Sequence, residues 1–411
     1  MSEIRVVVAG AGLIGLCTAW ELARAGAHVT VVDSGSAGGA TSSGATGWIV
    51  PALSAPLAAP GSIAQGARLM LRRDRPFFIA PRASLDLARW LIAFRRSATP
   101  DRYAAATAVL TAINQRTLEL YDGLAATGVE FEMHGGGLTF LGLSEELLDM
   151  TEQRFINMGY ADNIERLSGA EIREREPMVA PIVAGAVHAR PERFVRPETL
   201  NRGLADALAG HGAELVENSG VRGLRRQANE WIVELGDRDI PADRVVVAAG
   251  IWTNDLLRNL GIRLPLQPGK GYSLTTRSSS PPPNNALFFV EAMIGISPFE
   301  NAVRLAGMVE LTGMDRSIKP RRIEALRAAA RRYLDGWDPG EEQVQWAGLR
   351  PLTPDGLPIV GAVPGQEGLF LATGHGMIGL TLAPSSAALL APVVLGGDVP
   401  AELQPLRVGR F

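Results

Sequence analysis

Cysteine is nearly absent from this 411-residue chain: Cys17 is the only one. No intramolecular disulfide can therefore form, and no cluster of Cys and His has the spacing of metal ligands. Lysine is almost as scarce, with Lys270 and Lys319 alone, so arginine carries nearly all the positive charge. A net charge of −3 leaves no global attraction to nucleic acid, and none is expected as a partner. No membrane-spanning segment is expected. The first strand pattern starts almost at the first residue, which leaves no room for a signal peptide and predicts a cytoplasmic location. What the chain has is apolar residues, 46% of the total, enough for one large core or two medium ones, with two domains the default expectation.

The most informative segment is at the N-terminus. The apolar run Ile4 to Ala9 leads into Gly10-Ala11-Gly12-Leu13-Ile14-Gly15, a helical pattern follows to Ala25, and a second apolar run, His28 to Val32, ends at Asp33-Ser34. This is the pattern of a dinucleotide-binding βαβ unit. The first glycine permits a tight turn, the second lets backbone approach a pyrophosphate, and the third lets helix and strand pack closely. The helix N-terminus attracts phosphate charge, and Asp33 is placed to accept hydrogen bonds from a ribose. The fingerprint does not separate NAD from FAD.

Near the other end, Leu369 to Thr373 read as a buried strand. Gly374-His375-Gly376-Met377-Ile378-Gly379-Leu380-Thr381 then turn into an apolar helix ending about Leu395. A second helix N-terminus would suit a group that gains negative charge in turnover, such as the N1–C2 carbonyl edge of a reduced flavin. The plainer alternative is a strand–turn–helix whose glycines serve packing.

Between these ends the pattern predicts helices over 83–96 and 103–127, a strand near 137–143, a helix over 200–209, and strands over 213–221 and 231–235. Arg244 to Gly250 read as a buried parallel strand ending in glycine. From about 265 to 345 strand patterns alternate with turns and finish in an amphipathic helix, 320–334, as expected of an antiparallel sheet with a helix beside it. The predicted fold is α/β: a Rossmann-like dinucleotide domain of glutathione-reductase type (1–51, 179–258 and 346–411), interleaved with an α+β substrate domain (52–178 and 259–345).

Taken with Thr41-Ser42-Ser43-Gly44-Ala45-Thr46-Gly47-Trp48-Ile49-Val50-Pro51 and the run Gly348-Leu349-Arg350-Pro351 to Gly361, these motifs resemble the D-amino-acid oxidase family of flavoproteins. Pro56 to Gly61, Lys270 to Thr275 and Arg304 to Leu311 are most similar to its bacterial D-amino-acid dehydrogenase branch. The resemblance spans nearly the whole chain. It implies FAD held by the 10–15 turn, Asp33, Ser34, Thr41, Ser42, Ser43, Gly47, Trp48 and Ile49, by backbone at Val221, by Ala249, Gly250 and Trp252, and by 374–381. Arg350, which from spacing alone reads as a surface-loop residue, becomes by resemblance the grip on a substrate carboxylate, for which its planar fork suits two parallel bonds. Tyr272 is a second substrate candidate, since a phenol can bond a carboxylate while its ring walls an apolar pocket. His375 belongs, by resemblance, to the flavin turn, and the Met377 carbonyl to the substrate amine.

No side-chain base is then required. A neutral amine can push the Cα hydride to flavin N5, so catalysis is alignment and charge stabilisation. The implied activity is oxidation of D-amino acids to imino acids that hydrolyse to 2-oxo acid and ammonia, with cyclic substrates such as D-proline or hydroxyproline, oxidised to cyclic imines, also implied. Oxidases of the related sarcosine branch carry a lysine on the strand that here reads Val303 to Gly307 and attach flavin through a cysteine in the C-terminal half. This chain has neither, which points to noncovalent FAD and to a quinone or another carrier as electron acceptor. Arg196, where the family often has an acidic residue, departs from the pattern and bears on substrate choice. The alternatives are a glycine- or sarcosine-type oxidase using dioxygen, and the flavin subunit of a heteromeric dehydrogenase. Finally, eight arginines against two aspartates between Leu57 and Ser97, interleaved with apolar residues, read either as a peripheral contact with the inner face of the cell membrane or as a solvated helical face.

Overall fold

The computed structural model describes residues 4–72, 76–277 and 281–411. Its first sheet has six strands in the order Glu214–Val216, His28–Val32, Arg5–Ala9, Arg244–Val247, Leu369–Thr373 and Ile359–Ala362. The first five run parallel and the last pairs antiparallel. Parallel strands covered on both faces must be apolar throughout, and Val6 to Ala9, Val29, Val31 and Val245 to Val247 are all buried. The helix Leu13–Arg24 lies on this sheet and packs against Pro197–Gly210 and the C-terminal Gly379–Val394. A three-stranded antiparallel sheet, Gly223–Gln227, Glu230–Glu234 and Asp239–Ala242, fills the connection before Arg244.

The second large sheet has nine strands. Glu341–Leu352, Gln267–Arg277, Ala302–Leu311, Ile294–Phe299, Ala286–Phe289, Leu138–Gly142, Gly185–Ala189 and Ile164–Ser168 follow one another, and Phe77–Ile79 joins beside the end of Ala302–Leu311. Most pairs are antiparallel, but Ala286–Phe289 with Leu138–Gly142 and Ala302–Leu311 with Phe77–Ile79 are parallel. The helix Pro320–Tyr333 covers one face through Ile323, Leu326 and Ala330. The fold class expected from the sequence, a Rossmann-like sheet with an interleaved substrate sheet, is the one found.

Several elements depart from the sequence reading. The predicted helix 103–127 is two, Pro100–Asn114 and Thr117–Ala126. At the break the Thr117 hydroxyl bonds Asn114 Oδ1, at 3.1 Å, and Ser385 Oγ, at 3.0 Å, so this buried side chain ties the break to the C-terminal helix. That helix carries Pro384, which deprives the Leu380 carbonyl of its usual partner, and the Tyr121 hydroxyl donates to it at 2.7 Å. Through these contacts 100–126, assigned from the sequence to the substrate side, pack in the dinucleotide core. Conversely, Gly185–Ala189, assigned to the dinucleotide side, is a strand of the nine-stranded sheet. The strand expected at 213–221 is only Glu214–Val216. The helices Ser62–Leu71 and Glu145–Asn157 were not legible. No helix among the described residues is long and apolar enough to cross a membrane.

Candidate cofactor and substrate cavity

One cavity of about 1580 Å3 runs between the two sheets, from the 10–15 turn to the Arg350 strand. Pockets for drug-sized ligands usually fall between about 300 and 1,000 Å3, so this one has room for a dinucleotide and a substrate together. At the dinucleotide end Gly10 has φ +117°, and a Cβ there would lie 2.5 Å from the Ala248 oxygen. A Cβ on Gly15 would be 1.8 Å from the Gly10 oxygen, so Gly15 serves helix–strand packing and does not line the cavity. Gly12 has no side chain to cap the helix Leu13–Arg24, whose first residues Leu13 and Ile14 line the cavity, and the Leu13 N–H donates to Ser42 Oγ at 3.3 Å. Asp33 does more than the sequence implied. Its two oxygens accept from Ala11 N at 2.7 Å and Gly35 N at 2.8 Å, bracing the glycine turn, and each keeps a further lone pair for a ribose.

The loop after His28–Val32 closes over the middle. Gly47 has φ +90°, and a Cβ there would meet the Val195 oxygen at 2.0 Å. Thr41 Oγ1 donates to Leu349 O at 3.0 Å, and buried Arg304 donates to the Ser43 and Ala45 carbonyls at 2.8 and 3.0 Å while pairing with Glu198. Of the cofactor residues expected from the sequence, Gly10, Gly12, Leu13, Ile14, Asp33, Ser34, Thr41, Ser42, Gly47, Trp48, Val221, Ala249, Gly250, Trp252, His375, Gly376, Met377, Ile378, Gly379, Leu380 and Thr381 line the cavity. Ala11, Gly15, Ser43, Ile49 and Gly374 stand behind that lining. At the far end the 16-residue helix Gly379–Val394 receives no side-chain cap from its N-cap residue Ile378. Two open helix N-termini and a backbone cradle from which side chains are excluded fit a dinucleotide with one phosphate-bearing and one electron-accepting end.

His375 is buried, and a ring nitrogen bonds Ser386 Oγ at 3.1 Å. Burial pushes its pKa down to about 3, so the ring is neutral at physiological pH. Met377, half of its surface exposed, sits on the turn before the helix.

The strand Glu341–Leu352 turns Trp346, Gly348, Arg350 and Leu352 to one face, as period-two alternation requires, and Trp346, Arg350 and Leu352 line the cavity. A Cβ on the neighbouring Gly271 would lie 2.2 Å from Arg350 Nη1, so the absence of a side chain there makes room for the guanidinium. Arg350 Nη1 donates to Met308 O at 2.9 Å. Among the described residues no carboxylate lies within 4.0 Å of the Arg350 guanidinium. Burial pushes its pKa down to about 10, which leaves it a cation at pH 7. Met308 has φ +68° where the pairing of Ala302–Leu311 with Gln267–Arg277 shifts by one residue. Such a bulge re-aims the local backbone, here a carbonyl towards Arg350.

Tyr272 corrects the sequence reading. It alternates with Gly271 to the opposite face of the sheet, is 1% exposed, and donates its hydroxyl to Glu310 Oε2 at 2.8 Å. It packs under the helix Pro320–Tyr333 and does not line the cavity. Sequence reasoning missed Met308, Gly271, Trp346 and Leu352. The Trp346–Gly348–Arg350–Leu352 alternation was the one available signal for the last two, and nothing in the sequence marked the bulge.

Solved structures share this fold along nearly the whole chain. Glycine oxidase from Geobacillus kaustophilus is 24% identical with a TM-score of 0.77, covering 100% of both chains. Iminodiacetate oxidase from Chelativorans sp. BNC1 is 22% identical with a TM-score of 0.75 over 98% of each chain. L-proline dehydrogenase from P. horikoshii is 17% identical with a TM-score of 0.71, covering 97% of this chain and 96% of that one. Residues 5–392 match the DAO family, and with that match and a cavity that fits its cofactor, the chain belongs to the DAO family of FAD-dependent oxidoreductases.

Proposed function

We propose that this oxidoreductase removes two electrons from the carbon bearing the amine of a D-amino acid, cyclic ones included, giving an imino acid; one from a primary amine hydrolyses to 2-oxo acid and ammonia, whereas a cyclic one keeps its nitrogen when water opens the ring. The observation that carries the reading is Arg350: a guanidinium with no carboxylate partner among the described residues, held by the Met308 carbonyl in a cavity with mostly apolar walls. A cation so placed takes a carboxylate through two parallel bonds and fixes the substrate's orientation. Bound FAD supplies the acceptor for the Cα hydride. The 10–15 turn, Asp33 and the 41–48 loop would hold it, and the N-terminus of Gly379–Val394 would stabilise negative charge at its far end. The Met377 carbonyl would orient the amine. His375 is tied to Ser386, and burial makes its ring too weak a base to take a proton from the substrate, in keeping with catalysis by alignment.

The D configuration and a quinone or other carrier as acceptor rest on the similarity of the 56–61, 270–275 and 304–311 segments to the dehydrogenase branch. A glycine- or sarcosine-type oxidation using dioxygen is the second reading, favoured by the likeness to glycine oxidase and iminodiacetate oxidase. Anaerobic bleaching of the flavin by a panel of D-, L- and N-methyl amino acids separates the two, with peroxide formation in air as a second readout. Reduction by D-amino acids without rapid peroxide supports the dehydrogenase; preference for glycine or sarcosine with rapid peroxide overturns it.

A further inference from the structure

Beside Arg350 the cavity continues into an apolar compartment lined by Leu352, Trp90, Phe77 and Met70. Leu352 lies two residues further along the strand on the same face, about 7 Å away at strand rise. It packs in one apolar cluster with Trp90, against which half-buried Leu57, Phe77 and Ile79 are laid. The one polar atom in that group of side chains, Trp90 Nε1, is spent on the Leu352 carbonyl at 3.1 Å. Over it lies the helix Ser62–Leu71, none of whose residues is buried, although Met70 lines the cavity. A helix that turns apolar side chains to a cavity and buries none of them has its burial completed by whatever fills the space.

We infer that the substrate carries a bulky apolar group on the carbon that bears its carboxylate and amine, seated between Leu352, Trp90, Phe77 and the underside of the 62–71 helix. The inference rests on the reading of Arg350 as the carboxylate anchor. It assigns the compartment to the substrate's side chain and makes Leu352, Trp90 and Met70 residues of substrate specificity. Glycine and N-methylglycine would leave the compartment empty, whereas each methylene placed in it should tighten binding about fourfold.

The test uses the FAD-loaded enzyme and unreactive carboxylates, with dissociation constants measured by calorimetry for acetate, butanoate and 4-methylpentanoate. The expected result is that 4-methylpentanoate binds at least about 30-fold more tightly than acetate. The Met70→Gln variant, altered on a helix none of whose residues is buried, should lose most of that gradient, and Arg350→Ala should weaken all three ligands. A flat series, with Arg350→Ala still weakening every ligand, leaves the anchor standing and overturns the apolar compartment. A gradient that persists while Arg350→Ala leaves acetate binding unchanged overturns the anchor, and with it the placing of the compartment beside the carboxylate. Anaerobic flavin reduction faster with glycine than with leucine of either hand would also overturn the inference.

Discussion

A single guanidinium carries most of the functional argument, and its surroundings set the size of the expected effects. Removing one partner from a desolvated charge pair costs roughly 2 to 5 kcal/mol, so Arg350→Ala should lower kcat/KM at least about 30-fold while the protein keeps its FAD. A variant within threefold of the parent would take Arg350 out of the site. Gly271→Ala probes the same group indirectly. Its methyl group would stand 2.2 Å from Nη1, so the guanidinium must move, and KM should rise with FAD content unchanged. His375 makes the opposite expectation. A working general base is worth about 10²- to 10⁴-fold. Since burial makes His375 a weak base and its ring is bonded to Ser386, His375→Ala should lose less than about tenfold in flavin reduction once saturated with FAD. Loss of all reduction, even at high pH, would give the histidine a chemical role.

At the scale of elements, the arginine-rich segment resolves into parts with different partners. Arg72 donates to the Glu291 carbonyl at 2.6 Å, and Arg73 and Arg75 lie outside the described residues. On the helix Leu85–Ser97, Leu87 and Trp90 face inwards, while Leu85, Arg89, Ile92 and Arg96 form an exposed stripe at i, i+4, i+7 and i+11. Arg68 is exposed on the neighbouring helix Ser62–Leu71. A mixed basic and apolar stripe suits an anionic interface, where each charge contributes about 1 kcal/mol and the field fades within about 8 Å at physiological salt. Replacing Arg68, Arg89 and Arg96 with Gln should weaken co-sedimentation with anionic vesicles and slow quinone reduction, leaving dye-linked turnover nearly intact. If the parent protein does not sediment with such vesicles at low salt, the membrane contact is excluded, and a soluble acceptor or dioxygen takes its place.

For the whole molecule, stability couples to pH through a carboxyl that does not line the cavity. Glu192 is 1% exposed; one oxygen accepts from Ala52 N at 3.1 Å and the other has no hydrogen-bond partner among the described residues. Burial raises its pKa to about 8, whereas the same group ionises near 4.5 when unfolded. Between those values the folded state holds a proton that the unfolded state has lost, so stability falls as pH rises from about 4.5 to about 8 and then levels off. Glu176, raised to about 7 by burial, acts in the same direction, and His375, lowered to about 3, opposes both below its unfolded value near 6.5. Glu192→Gln keeps an acceptor for Ala52 N and removes the ionisation. Its melting temperature should therefore fall less between pH 5 and pH 8 than that of the parent, and equal slopes would show that Glu192 does not ionise over this range.

By itself the sequence determined the parts whose signals are local. The 10–15 glycine turn, Asp33 and the 374–381 turn were legible because glycine spacing, apolar runs and helix starts are properties of consecutive residues. Most of the residues they implied do line one cavity, and the two kinds of sheet followed from the same periodicities. What only the tertiary structure decided lies between segments. Tyr272 faces away from the cavity because its hydroxyl is taken by Glu310, a pairing fixed by strand register 38 residues apart. The 100–126 helices joined the dinucleotide core because Thr117 and Tyr121 satisfy the C-terminal helix. Arg350 became a cavity cation because a bulge at Met308 turned a carbonyl towards it and Gly271 left it room. Register, bulges and burial are set by neighbours distant in sequence, and no window along the chain contains both partners.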